Sequence, residues 1–169
     1  MMAPVARFVL LLFWLSACSR PAQPLRDPSH PDLRLERVAI RSWSGDTLRA
    51  ITTATRLDVF REVGTPGDVK AYDAGVLLVA DGTRLSAPEV TGNLFAGQFE
   101  GRGGVRLVGP NSLVAATPTV AFDRTAGLVS SDAGVVLTQP GMRLEATAFS
   151  FDVAEEHATF EQARTNFAP

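Results

Sequence analysis

Cysteine and histidine are nearly missing from this chain. It has one Cys and two His in 169 residues. With Cys18 alone, no intramolecular disulfide can form. His30 and His157, even with Glu155 and Glu156 beside the latter, fall short of the ligand set of a dedicated zinc site. Basic blocks are missing too: 16 Lys and Arg face 18 Asp and Glu, for a formal net charge of -2. The positive footprint that nucleic-acid binding requires is therefore absent. No apolar stripe with a 3.6-residue period survives beyond two turns, so no helix is expected in the body of the chain. Ser130 and Ser131 have no His/Asp partner pattern and no nucleophile-elbow context. No catalytic residue, metal site or cofactor is implied.

Long hydrophobic runs are missing as well. The longest, from Phe8 to Leu15, is well under the roughly 20 residues that span a bilayer. It follows Arg7 and precedes Ser16-Ala17-Cys18. A charged start, a short apolar stretch and small residues before a cleavage point make a signal peptide over residues 1–17. Leu15-Ser16-Ala17-Cys18 resembles the lipobox of bacterial lipoproteins, which implies lipidation of Cys18 and retention on a membrane by acyl chains. Pro21, Pro24, Pro28 and Pro31 then mark residues 18–35 as a semi-extended linker. Residues 36–169 remain as one domain, large enough to bury more than half of its unfolded surface.

What the domain does have is repetition. Gly75-Val76-Leu77-Leu78 is followed by Leu85-Ser86-Ala87; Gly104-Val105-Arg106-Leu107 by Leu113-Val114-Ala115; Gly134-Val135-Val136-Leu137 by Leu144-Glu145-Ala146. The three copies start 29 and 30 residues apart. A weaker copy, Val38-Ala39-Ile40 with Leu48-Arg49-Ala50, precedes them. Between the halves stand SGDT (44–47), ADGT (80–83), GPNS (109–112) and QPGM (139–142), all rich in residues that tolerate or preset turn dihedrals. Each unit is thus expected to open with a β-hairpin, its flanking runs alternating at period 2. A third strand is expected to close each unit: 54–60, 93–101, 119–123 and 147–152. Residues 153–163 have helical propensity, but the repeat calls for a turn there and a closing strand in the second half. Stacked units bury faces that one unit cannot.

A G-x-V-x-L strand, a tight turn, L-x-A and a Phe-Asp strand, repeated about every thirty residues, resemble the OstA-like fold of the lipopolysaccharide-transport LptA/LptC family. The resemblance covers residues 36–167, and 141–167 is its most family-like part. It implies an all-β fold, an antiparallel twisted β-jellyroll open at both ends. It also implies an apolar groove for lipopolysaccharide acyl chains, sheet edges that pair with an LptA-like periplasmic protein, and contact with inner-membrane ABC transporter permeases. A single short domain next to a membrane is most like LptC. LptC members usually keep an uncleaved transmembrane helix, where this chain has a lipobox. Ser19 after Cys18 leaves outer-membrane sorting open beside the inner-membrane placement of an LptC role.

The expected inward set is Val76, Leu78, Val105, Leu107, Val120, Phe122, Val135, Leu137, Leu144, Phe149 and Phe151. The alternation alone fits a closed sandwich core, in a tethered structural or protein-binding module without lipid cargo, as well as an open groove. Asp123 and Asp152 follow Phe at equivalent repeat positions, where Asp ordinarily caps a turn. Trp43 is expected to cover an edge strand, and Arg102 and Arg106 to lie on a solvated outer face.

Overall fold

The computed structural model describes residues 30–61, 67–153, 155 and 157–167. Residues 1–17, expected to be a signal peptide, Cys18 and most of the expected linker lie outside the described residues. Among those described, every regular element is a strand: β1 (Leu33–Ser44), β2 (Thr47–Phe60), β3 (Asp68–Leu78), β4 (Arg84–Asn93), β5 (Gln98–Val108) and β6 (Val114–Asp123), then β7 (Leu128–Ser131), β8 (Val135–Gln139), β9 (Met142–Ala146), β10 (Ala148–Asp152), β11 (His157–Glu161) and β12 (Arg164–Phe167). All belong to one sheet, and every pairing is antiparallel. β1 begins at Leu33, inside the stretch read as linker, because Leu33 and Leu35 pair with Val59 and Leu57. Residues 157–161 form a strand, as the repeat requires.

The sheet forks at β6, whose first half pairs with β8 and second half with β7. β8 continues to β9 and β12, while β7 continues to β10 and β11. In chain order, β7 and β8 are two halves of one strand run, as are β9 with β10 and β11 with β12. The described chain is therefore a nine-run up-and-down meander in which the last three runs are cut in the middle.

The cuts fall on a line that crosses the whole sheet. Arg37 (φ 53°), opposite Thr55 in the β1–β2 register, and Asp73 (φ 47°), opposite Thr55 in the β2–β3 register, both have left-handed backbone. Next comes Pro88, where the β4–β5 register shifts between Ser86 and Glu89. Gly103 (φ 84°) and Gly104 (φ 99°) sit in the β5–β6 shift between Arg102 and Val105, and Pro118 faces them. The interruptions at 132–134, Thr147 and 162–163 complete the line. Proline offers no amide to a ladder and is found where a sheet is interrupted. Paired glycines with positive φ make the bulge that bends a strand. Left-handed Arg37 and Asp73 are strained, and the Thr55 hydroxyl repairs the neighbourhood, 3.0 Å from the Tyr72 carbonyl and 3.1 Å from the Asp73 carboxylate.

This crease corrects the expected repeat. The L-x-A strand and the Phe-Asp strand are not separate elements: Ala115 and Phe122 lie on the single strand β6, either side of Pro118. The repeat is a hairpin of two long creased strands, with no separate third strand. Phase also changes at the line. In β3 the inward positions are Val69 and Ala71 before Asp73, but Ala74 and Val76 after it.

Gly104 would place a Cβ in open space, so backbone strain alone opposes a side chain there. Gly104→Val is expected to destabilise the domain by about 1–3 kcal/mol, measured by urea unfolding. An unchanged midpoint would mean that the bulge is not set by this residue.

Candidate functional site

Register carries two apolar rows across the sheet, one on each side of the crease. The first runs Ile40, Thr52, Val76, Leu85, Leu107, Ala115, Leu137, Leu144, Thr165, each directly opposite the next. The second runs Leu33, Val59, Val69, Gly92, Phe99, Phe122, Val129, Phe151, Ala158. Directly opposed antiparallel residues share a face, so each row is a continuous strip across nine strand runs. A third strip, Leu35, Leu57, Ala71, Val90, Gly101 and Val120, lies closer to the crease.

The strips on the two sides converge on the same surface. A Cβ on Gly101 would lie 3.2 Å from both Val105 and Val120 and 3.4 Å from Ala87, so side chains from both halves meet over it. Burial is deepest there: Ala54, Ala87, Val105, Val135 and Ala146 are buried, as are Thr117 and Ser131. The Thr117 and Ser131 hydroxyls lie 2.9 Å apart, which satisfies both inside the fold line. Away from the line the rows open, except at Val69, which is 7% exposed. Ile40 is 49% exposed and Leu85 36%, while Val76, Leu107, Leu137, Leu144, Phe122 and Phe151 are half-buried. Among the described residues, no large side chain is fully enclosed. A closed sandwich of this size would bury several Leu or Phe completely. The structure is instead a folded sheet with a buried fold line and a partly open apolar interior.

The eleven expected inward residues all lie on this face, in three settings. Val76, Leu107, Leu137 and Leu144 are in the first row, with Leu78 two residues beyond Val76 at a strand end and 44% exposed. Phe122 and Phe151 are in the second row, Val120 in the third, and Phe149 two residues from Phe151. Val105 and Val135, 3% and 5% exposed, form the floor at the fold line. The sequence reading missed Ile40, Leu85, Val69, Val90, Phe99, Val129 and Phe160. Pro88 and Pro118, thirty residues apart, are the signal that would have recovered the phase change hiding several of them.

The two halves differ in character. Beyond the fold line, the second-row half holds the rings: Phe99 stacks on Phe122 with centroids 6.4 Å apart, and Phe149 packs against Phe160 at 6.4 Å. The first-row half is aliphatic.

Beside the second row, the opposite face is polar. Across β1–β4 it carries Arg34, Asp58 and Lys70 in one row and Glu36, Arg56, Tyr72 and Glu89 in the next. Asp58 is buried beneath Arg34 (2.8 Å) and Arg56 (3.4 Å), and the Arg56 guanidinium lies 3.7 Å from the centre of the Tyr72 ring. The Glu89 carboxylate, 2.8 Å from Lys70, raises that ammonium's pKa. Arg102 pairs with Glu100 at 2.6 Å and lowers its pKa. Arg102 and Arg106 are exposed, and Trp43 is 60% exposed on edge strand β1.

The repeated acidic positions cap turns. Asp123 accepts the Thr125 and Ala126 amides at 2.8 and 2.9 Å, Asn93 accepts those of Phe95 and Ala96 at 2.9 and 2.8 Å, and Asp152 accepts that of Glu155 at 3.0 Å. These three residues are one Asx turn written three times. Glu156 lies outside the described residues, and among those described no three His, Cys, Asp or Glu gather as a metal site.

No family model matches the sequence, and no curated protein matches it. Among solved structures, the chain is similar to LptH of Pseudomonas aeruginosa, the LptA-homologous periplasmic component of the conserved lipopolysaccharide transport device. The TM-score is 0.51 and the identity 13%, over 71% of this chain and 95% of that one. At this identity the likeness is one of fold: an open, LptA-like antiparallel β-jellyroll, as the family resemblance implied.

The Ala126 amide, then Gln98, hold the Asp123 carboxylate below its ordinary 3.8. Its contribution to stability is therefore complete above the unfolded pKa and lost as pH falls through the lower folded value. Asp123→Ala is expected to lower Tm at pH 6, and the deficit should shrink as the pH is taken well below 3.8. A deficit of constant size across that range would show that the charge plays no part in the turn.

Proposed function

We propose that the protein is a non-enzymatic carrier in lipopolysaccharide export, holding acyl chains in the apolar interior of the creased sheet. One observation carries this reading: two rows, apolar but for Thr52, Thr165 and Gly92, cross all nine strand runs and remain largely half-open to solvent. Moving an acyl chain out of water is favourable by roughly 0.8 kcal/mol per CH₂, and the rows offer a dry surface without a closed core in the way. The likeness in fold to a lipopolysaccharide-transport component supports the same reading.

In this proposal Val76, Leu107, Leu137 and Leu144 contact one side of the cargo, and Val120, Phe122, Phe149 and Phe151 the other. Val105 and Val135 close the floor, and Leu78 lies at one mouth. The domain takes lipopolysaccharide from an inner-membrane ABC transporter and passes it to an LptA-like periplasmic protein. β1 pairs only with β2, and β11 and β12 only with β10 and β9, so both sides of the sheet end in strands with one open edge among the described residues. Open edges are a liability in most proteins; here they are the joints, accepting a partner's strand by β-augmentation. Cys18 carries the lipid that keeps the chain at a membrane, in the manner of an LptC-like lipoprotein.

A photocrosslinker at Phe122 or Phe149 is expected to capture lipopolysaccharide in cells. Capture of protein only, or of nothing, would sink the carrier reading in favour of a binding module without lipid cargo. Separately, Cys18→Ala is expected to release the chain from the membrane fraction or to block its maturation, read by fractionation and mass of the mature protein. Full retention of a correctly cleaved product would remove the lipid anchor from the picture.

A further inference from the structure

The outer face differs on the two sides of the crease. Beside the second row its charges are paired: Asp58 with Arg34 and Arg56, Lys70 with Glu89, and Arg102 with Glu100. Beside the first row most are not. Register places Arg41, Arg84, Arg106, Arg143 and Arg164 there, all exposed, in two adjacent rows that hold a single acid, Glu145. Glu145 lies 2.7 Å from Arg143. Among the described residues, the guanidinium groups of Arg41, Arg84, Arg106 and Arg164 have no ion pair and no hydrogen bond. Asp81, the acid nearest to Arg84 in sequence, is engaged elsewhere: it accepts the Thr83 amide at 2.9 Å and the Thr83 hydroxyl at 2.7 Å.

Apolar side chains fill the space between these arginines. Leu77 and Val108 lie directly opposite Arg84, one on each side. Ile51 adjoins Leu77, Val114 adjoins Val108, and Val136 stands in the neighbouring row. None of the five is buried, and all point away from the interior. Gly75, Ser86 and Ala116, small residues in the row of Arg106, keep this face low and flat. All described strands belong to one sheet, so no described element covers it. An uncovered patch of this kind marks a contact surface. Arg set among apolar side chains is the composition of the centre of a protein interface, where Arg is enriched and other charged residues are depleted. A planar guanidinium grips a carboxylate through two parallel hydrogen bonds. Unpaired arginines amid Val and Leu are therefore complementary to Asp or Glu on a facing surface.

Other occupants fit this face less well. A second copy meeting it with the same face would set arginines against arginines, which costs rather than gains. The carboxylates on that copy's other outer face, Asp58, Glu89 and Glu100, are already paired. Residues 18–29 carry Arg20 and Arg26 against Asp27 and bring no acidic surplus. A bilayer is poorly matched because a flat strand face has no tip to insert. Lying on one would also turn both open sheet edges sideways, out of line with transfer away from a membrane.

We propose that the outer face beside the first row, centred on Arg84 and Arg106, docks an acidic protein surface in which Asp or Glu side chains surround an apolar patch. Leu77 and Val108 supply the apolar contact, and the two arginines supply its charge and register. The contact uses neither the apolar interior nor the edges β1, β11 and β12. It adds a lateral partner to a carrier that is joined to its neighbours end to end.

The test is photocrosslinking of the full chain in cells, with the crosslinker at Leu77 or Val108 and the crosslinked peptide identified by mass spectrometry. One protein is expected, captured through a segment with Asp or Glu beside apolar residues. The double variant Arg84→Glu, Arg106→Glu, changed only at exposed positions, should cut capture several-fold while keeping its β signal in circular dichroism. Reversing the captured segment's carboxylates to Lys should restore capture by that variant. The same crosslinker at Thr91, on the outer face beside the second row, should not capture this protein. Capture of a second copy, of lipid or of nothing, or capture indifferent to the charge reversal, would overturn the proposal. So would binding to phosphatidylglycerol vesicles that the double variant loses, which assigns the face to a bilayer. Capture of lipopolysaccharide from Phe122 should be unchanged in the double variant, so failure of the docking and failure of the carrier reading are read separately.

Discussion

Everything in this domain follows from a line where the strand ladders are interrupted. An uninterrupted meander of nine runs would be a broad twisted sheet with one apolar face and nothing to cover it. By spending ladder hydrogen bonds at the same height in every run, the chain turns that sheet on itself. The devices differ from strand to strand: left-handed Arg37 and Asp73, Pro88 and Pro118, the Gly103-Gly104 bulge, and full interruptions at 132–134 and Thr147. The local polar groups are repaired by what lies beside them. The Thr55 hydroxyl serves Tyr72 and Asp73, and Thr117 and Ser131 serve each other. Small residues gather along the line because two faces meet there: Ala54, Ala87, Gly101 and Ala146 are all buried.

A fold of this kind places its burial unevenly. Near the line, Val105 and Val135 are enclosed; several residues away, Ile40 and Leu85 are 49% and 36% exposed. A domain that left such a strip open without use would be a candidate for aggregation, and its open edges add to the hazard. The polar face answers part of this through paired charges. Asp58 under two arginines, Lys70 with Glu89 and Arg102 with Glu100 hold the outer surface hydrophilic on the second-row side of β1–β5. The apolar rows have no such pairing, which is why the proposed cargo is a lipid.

Much of this was legible from the residues alone, and the failures have one cause. The G-V-x-L and L-x-A runs mark strand halves correctly, and the inward residues they name all fall on the apolar face. Asp123 and Asp152 were readable as turn caps because Asp accepts local amides there. The strand count and the phase were not readable. A period-2 pattern that slips by one at Pro88 or Pro118 looks like a strand end, so one creased strand was divided into two. Val69 and Val90 lie beyond such slips, out of phase with the motif that located their neighbours. Leu33 and Leu35 were lost to the linker because prolines dominate the composition around them.

Two strands per repeat also set a unit of length. Adjacent strands lie about 4.8 Å apart, so each thirty-residue unit advances the fold by about 10 Å along the crease. Each unit pairs with its neighbours, through a shared register and through turn amides that donate to the turn before. The cross-section of the interior is therefore decided within one unit, and its span by how many units are strung together. A chain of this design can be lengthened or shortened in whole units, leaving unchanged the profile that a cargo meets at each step.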